Sequence, residues 1–330
     1  MKAIECPEYG PPEVLKIVEV EIPQPKDDEV LIRNHGSSIN TVDVVARSGK
    51  APKAIFRGAQ QLIGFFLRLS FGGLKKPKQE IPGGGFAGEL VSVGKDISKW
   101  KEGDRVYGYH KGACAEYMTV PANLLARIPP KLDYLEAAAI PGGFSPAIRA
   151  LRDIVQIQEG DKVLIIGASG GIGTFGVQMA KIYRAEVTGV CGPSNVDMVK
   201  NIGADFVIDY TKEDYTKGDQ TYDIIFDAVA ASTLSKCRRI LTGEGVYVTN
   251  NPVNSPKTLF HLMTNFSRKK KIKAGTADES GENLHSIHDW IAAGKLKPVI
   301  DKVFPLDQTA EAHRHYETGH ARGRVVISIP

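Results

Sequence analysis

The apolar run Val163-Leu164-Ile165-Ile166 passes directly into Gly167-Ala168-Ser169-Gly170-Gly171-Ile172-Gly173 and then into a helical pattern over 174–183, and no other stretch so limits what this 330-residue chain can fold into. A β-strand that ends in a glycine-rich turn and feeds a helix gathers backbone N–H groups and the positive end of the helix dipole at one point, where a diphosphate satisfies both. In this reading Ala168 makes the tight turn, Gly170 lets the backbone approach the phosphates, and Gly173 brings the helix close to the sheet, with Ser169, Gly171 and Ile172 completing the loop. Glu186-Val187-Thr188-Gly189-Val190 follows as a second strand and closes a βαβ unit of the size a dinucleotide site needs.

The length suggests about two domains. An excess of 42 basic over 38 acidic residues leaves a net charge of only +4, too small to argue for nucleic acid, and no nucleic-acid-binding motif is present. Four cysteines (6, 114, 191 and 237) are scattered and form no CxxC pair, which points to a reducing compartment. The first residues lack the apolar core of a signal peptide, and no run of about 18 apolar residues offers a membrane span. A cytoplasmic location is expected.

Short β patterns broken by Gly and Pro fill the first 120 residues, at 14–20, 29–34, 88–93, 105–109 and 115–120, and suggest a small β barrel or sandwich. The texture then changes to strands at 162–166, 186–190, 206–208, 222–226, 246–249 and 271–274 with helical stretches between several of them. That alternation is the mark of an α/β, doubly wound parallel sheet. After about residue 277 the first texture returns and ends in a strand at 324–329. The expected organisation is therefore a nucleotide-binding domain, 124–276, inserted between two pieces of a β-rich domain, 1–123 and 277–330.

Seven ordered motifs then carry a resemblance over almost the whole chain: Asn40-Thr41-Val42-Asp43 with Arg47-Ser48-Gly49; Gly85-Phe86-Ala87-Gly88 leading to Val93-Gly94; Gly103-Asp104-Arg105-Val106; Ala115-Glu116-Tyr117; Ala137-Ala138-Ala139-Ile140-Pro141; the phosphate loop; and Gly323-Arg324-Val325-Val326. In these the chain resembles the medium-chain dehydrogenase/reductase superfamily, in its zinc-free quinone oxidoreductase-like branch. The resemblance implies a GroES-like catalytic domain, a Rossmann domain and a cofactor bound between them. Gly167, Gly171 and Gly173 also fit the GxxxGxG spacing of short-chain dehydrogenases. Position argues against that family, because about 160 residues precede the loop and the one Tyr-x-x-x-Lys pair, Tyr107 and Lys111, lies upstream of it.

Zinc alcohol dehydrogenases of the superfamily hold a metal with two thiolates and an imidazole around one open position. By the flanking motifs their ligands fall near Thr41, on Gly84 and Gly85, and on Gly142, none of which can bind a metal. His285 with His288 and His313 with His315 read as polar helix faces, so no metal is expected. Without a Lewis acid the favoured chemistry is hydride transfer to an acceptor activated by conjugation.

The end of the second strand reads Val190-Cys191-Gly192-Pro193-Ser194-Asn195. Cys191 stands where an NAD-preferring fold places Asp or Glu, and Gly192 leaves room for a 2′-phosphate, so NADP(H) is favoured. The resemblance implies that Ser194 and Tyr210 are its partners, with Asn195 and Lys200 behind them. Asn40 and Asp43 are candidates for contact with ribose or substrate, and helix capping is their structural alternative. Tyr109, beside Tyr107 and His110, is a candidate proton donor. The resemblance further assigns Thr41, Pro141 and Val229 to the cofactor channel, while Thr249 and Asn250 stand at the carboxyl end of a strand, where ligands bind such sheets.

Residues 50–80 are basic and apolar, with Ile55, Ala59, Leu62, Phe66 and Leu69 at helical spacing. A lid over a hydrophobic acceptor, a packing helix and a weak peripheral membrane contact all suit this pattern. The leading expectation is an NADPH-dependent, zinc-independent oxidoreductase acting on quinones or α,β-unsaturated carbonyls. The alternatives are an NADPH-binding regulatory protein with little turnover and a zinc-free alcohol dehydrogenase-like reductase; a homodimer is compatible with each.

Overall fold

Burial of Val163, Leu164, Ile165 and Ile166, each at most 2% exposed, fixes their strand in the interior of a sheet covered on both faces. The computed structural model describes residues 1–49, 76–77, 80–250, 271–274 and 281–330. These form two compact units, one of residues 1–142 with 279–330 and one of residues 143–278. The expectations for the 50–80 segment lie outside the described residues, apart from Lys76, Pro77 and Glu80.

The first unit carries a two-stranded antiparallel ribbon, β1 (Lys2–Glu5) with β2 (Lys16–Glu19). Its main sheet contains β3 (Glu29–Ile39), β4 (Gly85–Val93), β5 (Arg105–Tyr109), β6 (Tyr117–Pro121) and β7 (Leu125–Arg127), joined by β14 (Ile300–Pro305) and β15 (Arg324–Ser328) from the C-terminal segment. The strand order is β14-β15-β3-β4-β5-β7, with β6 also paired to β3. Helix α1 (Thr41–Ser48) follows β3, and α2 (Tyr134–Ala139) packs on β3 and β4.

Between the strand groups, α3 (Pro141–Ile148) leads into the second unit. That unit contains β8 (Lys162–Ile166), α4 (Gly173–Ile182), β9 (Glu186–Cys191), α5 (Val196–Asn201), β10 (Phe206–Asp209), β11 (Tyr222–Asp227), α6 (Leu234–Cys237), β12 (Leu241–Thr249) and β13 (Lys271–Ala274). Its six strands are all parallel, in the order β10-β9-β8-β11-β12-β13. In units of sequence this is 3-2-1-4-5-6, the doubly wound dinucleotide-binding arrangement. The expected fold class is the observed one.

Three differences from the sequence reading have local causes. The domain change expected at 124 lies after residue 142, because β7 pairs with β5 and α2 packs on β3, so both stay with the first unit. Strand β3 runs on to Ile39, past the expected end at 34. Small and polar residues there hide the alternation, and a register shift between Asn34 and Gly36 breaks its period. The span 14–20 is split, with a 3₁₀ turn at Pro12–Val14 preceding β2.

In the first unit, α9 (Thr309–Glu317) is tied to α1 by a buried cationic side chain; α7 (Gly281–His285) and α8 (Ile287–Ala292) precede it. Arg47 of α1 donates from Nη1 to Gly10 O at 2.5 Å, from Nε to His313 Nδ1 at 3.4 Å, and pairs through Nη2 with Glu317 at 2.7 Å. Burial first, and the Arg47 charge second, push His313 down to about 3. In the unfolded chain the same imidazole titrates near 6.5. Below that pH the unfolded state takes up a proton that the native state refuses, so stability falls as pH drops from 6.5 toward 3 and is flat with respect to this group above 6.5. Urea unfolding at pH 5 and pH 7.5 should differ by about 2 kcal/mol from this group alone. His313→Leu should shrink that difference, and an unchanged pH slope would rule the imidazole out as its source.

Candidate functional site

The phosphate loop is shaped by Gly167, whose φ of 78° lies in the left-handed region. It, rather than Ala168, makes the turn. Ala168 is fully buried, with its N–H bonded to Val190 O at 3.0 Å and its Cβ position 3.0 Å from that of a side chain at Gly189. A Cβ on Gly173 would collide with the carbonyl of Gly167, so this glycine is required by the loop's own backbone. The close approach of α4 to the sheet belongs to Gly176, where a Cβ would stand 3.1 Å from Phe226. Gly170 is different: a Cβ there would meet only Gly167 O at 3.4 Å and Val229 Cγ1 at 3.9 Å. The protein itself leaves that position open.

The other loop residues, Ser169, Gly171 and Ile172, are half-buried at the start of α4. The first N–H groups of a helix have no intrahelical acceptor, and Thr174 N–H turns back to Gly170 O at 3.0 Å. Gly143 of α3 rests against the carbonyl of Gly171, again with no room for a Cβ.

Next to this loop the structure gathers the residues expected to read the adenosine ribose. Asn195 is buried and donates from Nδ2 to Ser169 Oγ at 3.1 Å, so it ties the β9 loop to the phosphate loop. Ser194, exposed, donates to Asn195 Oδ1 at 3.4 Å. Tyr210 N–H bonds Cys191 O at 3.2 Å, and a Cβ on Gly192 would stand 3.5 Å from the Tyr210 hydroxyl, so the phenol, 56% exposed, flanks the end of β9. Cys191 is buried and its thiol pushed up to about 11, by desolvation first and then by Asp209. Asp209 is the carboxylate nearest in register to Cys191. Its Oδ1 accepts both the N–H and the hydroxyl of Thr211, at 3.0 and 2.7 Å, which turns it into its own loop.

A residue missed in the sequence, Asp227, builds the loop after β11. It is fully buried; Oδ1 accepts from Val229 N at 3.3 Å and Ala231 N at 3.1 Å, and Oδ2 from Ser232 N at 2.8 Å and Tyr247 Oη at 2.7 Å. This grip holds Ala230 at a φ of 55° and sets Val229, 49% exposed, so that its Cγ1 would lie 2.6 Å from a Cβ on Gly167. A strand-end aspartate before a run of small residues was the available signal. Thr249, in register with Asp227 at the end of β12, is fully buried. The amide nitrogen and oxygen of Asn250 are both buried without a partner among the described residues. An open cradle at Gly170 and an orphaned amide at Asn250 fit a dinucleotide held across the carboxyl ends of these strands.

In the first unit, Asp43 is buried and closes a helix cap: Oδ2 accepts from Asn40 N at 2.8 Å and Oδ1 from Gly83 N at 2.9 Å. Burial pushes its carboxyl up, opposed by those hydrogen bonds. Capping, the structural alternative, is therefore the role its contacts show. Asn40 donates from Nδ2 to Ser38 O at 3.1 Å and accepts at Oδ1 from Arg324. Thr41 Oγ1 and Tyr316 Oη are 2.9 Å apart, and Pro141 opens α3 as a buried residue. Tyr107 is fully buried and donates to Leu284 O at 3.1 Å, which removes it as a proton donor; burial pushes His110 down. Tyr109, at the end of β5, is half-buried.

A Cβ on Gly84 would stand 2.6 Å from the Tyr109 hydroxyl, and one on Gly142 2.6 Å from Arg324 Nη2. Two of the positions expected for zinc ligands, Gly84 and Gly142, are thus closed off by neighbouring side chains. Among the described residues no three His, Cys, Asp or Glu side chains are grouped so as to hold a metal ion, and no helix is long and apolar enough to cross a membrane. The described residues at these positions offer a zinc ion no set of ligands.

Residues 26–130 match the profile described as "Alcohol dehydrogenase GroES-like domain", and residues 202–327 match that described as "Zinc-binding dehydrogenase". The chain is 31% identical to a 2-methylene-furan-3-one reductase of Solanum lycopersicum and 30% identical to a chloroplastic NADPH-dependent alkenal/one oxidoreductase of Arabidopsis thaliana, in each case over 99% of this chain and 79% of the relative. The solved quinone oxidoreductase of Coxiella burnetii superposes with a TM-score of 0.86 at 26% identity, covering 100% of this chain and 99% of its own.

Proposed function

We propose that this chain, which belongs to the medium-chain dehydrogenase/reductase superfamily in its quinone oxidoreductase-like branch, is an NADPH-dependent, zinc-independent oxidoreductase of quinones or α,β-unsaturated carbonyls. The observation that carries this reading is the cradle itself: Gly170 leaves an open position facing Val229, and Ser169, Asn195 and Tyr210 are assembled around a β9 end whose residue is Cys191 and not a carboxylate. Gly167 to Gly173 would hold the diphosphate, Ser194 and Tyr210 the 2′-phosphate, and Asn250 the polar groups near the strand ends. Bound there, a nicotinamide supplies hydride. The acceptor must then carry its own electron sink, because two of the positions where zinc alcohol dehydrogenases place ligands, Gly84 and Gly142, are crowded by Tyr109 and Arg324.

The protein's contribution under this reading is to hold donor and acceptor in register and to exclude water, which can lower a barrier substantially without a dedicated acid. Four unlinked, buried cysteines suit a reducing, cytoplasmic setting. Steady-state oxidation of NADPH with a panel of quinones and enones, with zinc assayed in the same preparation, tests it. Tight NADPH binding without turnover would favour the regulatory alternative, and activity proportional to bound zinc would overturn zinc independence.

Cofactor choice has its own test. A carboxylate in place of Cys191 would face a 2′-phosphate as a like charge and offer a ribose hydroxyl an acceptor. Cys191→Asp should lower the kcat/KM ratio of NADPH over NADH roughly 100-fold, since such juxtaposition costs several kcal/mol. An unchanged ratio would move the discriminating site elsewhere.

A further inference from the structure

Helix α3 is the segment by which the chain enters the second unit, and Gly143, near its start, is pressed into the phosphate loop. Gly143 is buried and has no positive φ, so what it supplies is space and not backbone conformation. A Cβ there would overlap the Gly171 carbonyl oxygen and stand 2.7 and 2.8 Å from Cδ2 and Cε2 of Phe175. Both partners lie with it in the second unit. Phe144, the next residue of α3, meets the same Phe175 ring edge to face, with centroids 6.1 Å apart and planes at 75°, and both rings are fully buried. The start of α3 is thereby seated on the phosphate loop and on the first turn of α4.

Hydrogen bonds do not fix the loop at this point. The carbonyls on either side of Gly171 are taken: Gly170 O accepts from Thr174 N–H and Ile172 O from Gly176 N–H, both at 3.0 Å. Among the described residues the Gly171 carbonyl has no donor, and the N–H groups of Gly171 and Ile172 have no acceptor. The Gly171 carbonyl and the Ile172 N–H belong to one peptide plane, which is trans, so they point in opposite directions. A carbonyl turned toward Gly143 therefore sends the Ile172 N–H away from α3. Glycine resists rotation of the plane that follows it only weakly, and the surface of Gly143 limits that rotation.

We propose that Gly143 is a positioning residue for the cofactor's diphosphate, acting through the Gly171–Ile172 peptide. The inference rests on the function proposed above. Pressed against the Gly171 carbonyl, Gly143 keeps the Ile172 N–H unpaired and directed away from α3, free to donate to a phosphate oxygen as the first N–H groups of helices do. A side chain at 143 would push the carbonyl aside, rotate the peptide and swing that N–H off the anion. The groups assigned above to the 2′-phosphate, Ser194 and Tyr210, stand on other loops, after β9 and β10. Loss of the Ile172 N–H should therefore weaken one part of the nucleotide's grip and spare the other.

The test separates the diphosphate from the 2′-phosphate. NADPH is titrated by its fluorescence, and adenosine 2′-monophosphate, which lacks the diphosphate, by calorimetry, into wild type, Gly143→Ala and the double variant Gly143→Ala/Phe175→Leu. Gly143→Ala should raise the NADPH Kd about 30-fold, the scale of one charge-assisted hydrogen bond, and leave the Kd of adenosine 2′-monophosphate unaltered. Phe175→Leu vacates the ring atoms beside the new methyl, so the double variant should recover part of the NADPH affinity. Equal weakening of both ligands would reduce Gly143 to a structural role, and an unaltered NADPH Kd would remove the peptide from the site; either overturns the proposal. Should Gly143→Ala alone fail to fold, the double variant is compared with Phe175→Leu, and the same split between the two ligands is required. A wild type that binds no NADPH defeats the functional reading, whereas a wild type that binds NADPH no more tightly than Gly143→Ala defeats only the role of Gly143.

Discussion

Gly170→Val should abolish NADPH binding and leave the protein folded. The two halves of that result come from different neighbours. A Cβ at 170 meets protein atoms only at 3.4 and 3.9 Å, ordinary van der Waals separations, and the residue has no positive φ. The folded chain therefore accepts a side chain there, and the unfolding midpoint should move by no more than the few tenths of a kcal/mol usual for exposed substitutions. A bound diphosphate does not accept it, because backbone N–H groups hold phosphate oxygens at about 2.9 Å, closer than a branched side chain permits. Fluorescence titration should show NADPH affinity lowered by 1000-fold or more, a magnitude of about 4 kcal/mol. Gly173→Ala is the control, since its Cβ would collide with the Gly167 carbonyl; it should lose both stability and binding. Retention of NADPH affinity by Gly170→Val would remove the diphosphate from this loop.

Asp227→Ala should be the most destabilising single substitution in the second unit. It deprives three backbone N–H groups and the buried Tyr247 hydroxyl of their common acceptor. Each stranded donor costs about 1–3 kcal/mol, and partial relaxation of the loop keeps the total near 4 kcal/mol, roughly a 10 °C fall in Tm for a unit of this size. The same loop presents Val229 to Gly167, so NADPH affinity should fall in parallel, about tenfold or more. Asp227→Asn keeps an acceptor oxygen and should recover part of both losses. Calorimetry together with NADPH titration checks this; a loss of stability with affinity unchanged would separate the loop from the cofactor site.

Much of the site was legible because its signals are local. The strand, the glycines and the helix that follow one another at 162–183 specify backbone geometry through neighbours in sequence, whereas Val229, Ser194 and Tyr210 were named from the family resemblance. Where roles had to be assigned within the loop, sequence spacing was insufficient: Gly167, not Ala168, carries the positive φ. Asp43 illustrates a different limit. An aspartate three residues after an N-cap asparagine reads equally as a cap and as a catalytic group, and only the bonds to Asn40 N and Gly83 N decide between them.

The sequence by itself determined the two-part architecture, the parallel sheet and the glycine-rich loop after its first strand, since these follow from hydrophobic period and turn chemistry over short spans. Only the tertiary structure decided which polar groups are buried together: that Asp227 anchors the Val229 loop, that Tyr109 fills the place beside Gly84, and that Arg324 meets Asn40 across 284 residues of chain. The physical reason is that the cost of burying a charge depends on every donor and acceptor around it, and those neighbours come from strands and helices that no local pattern brings together.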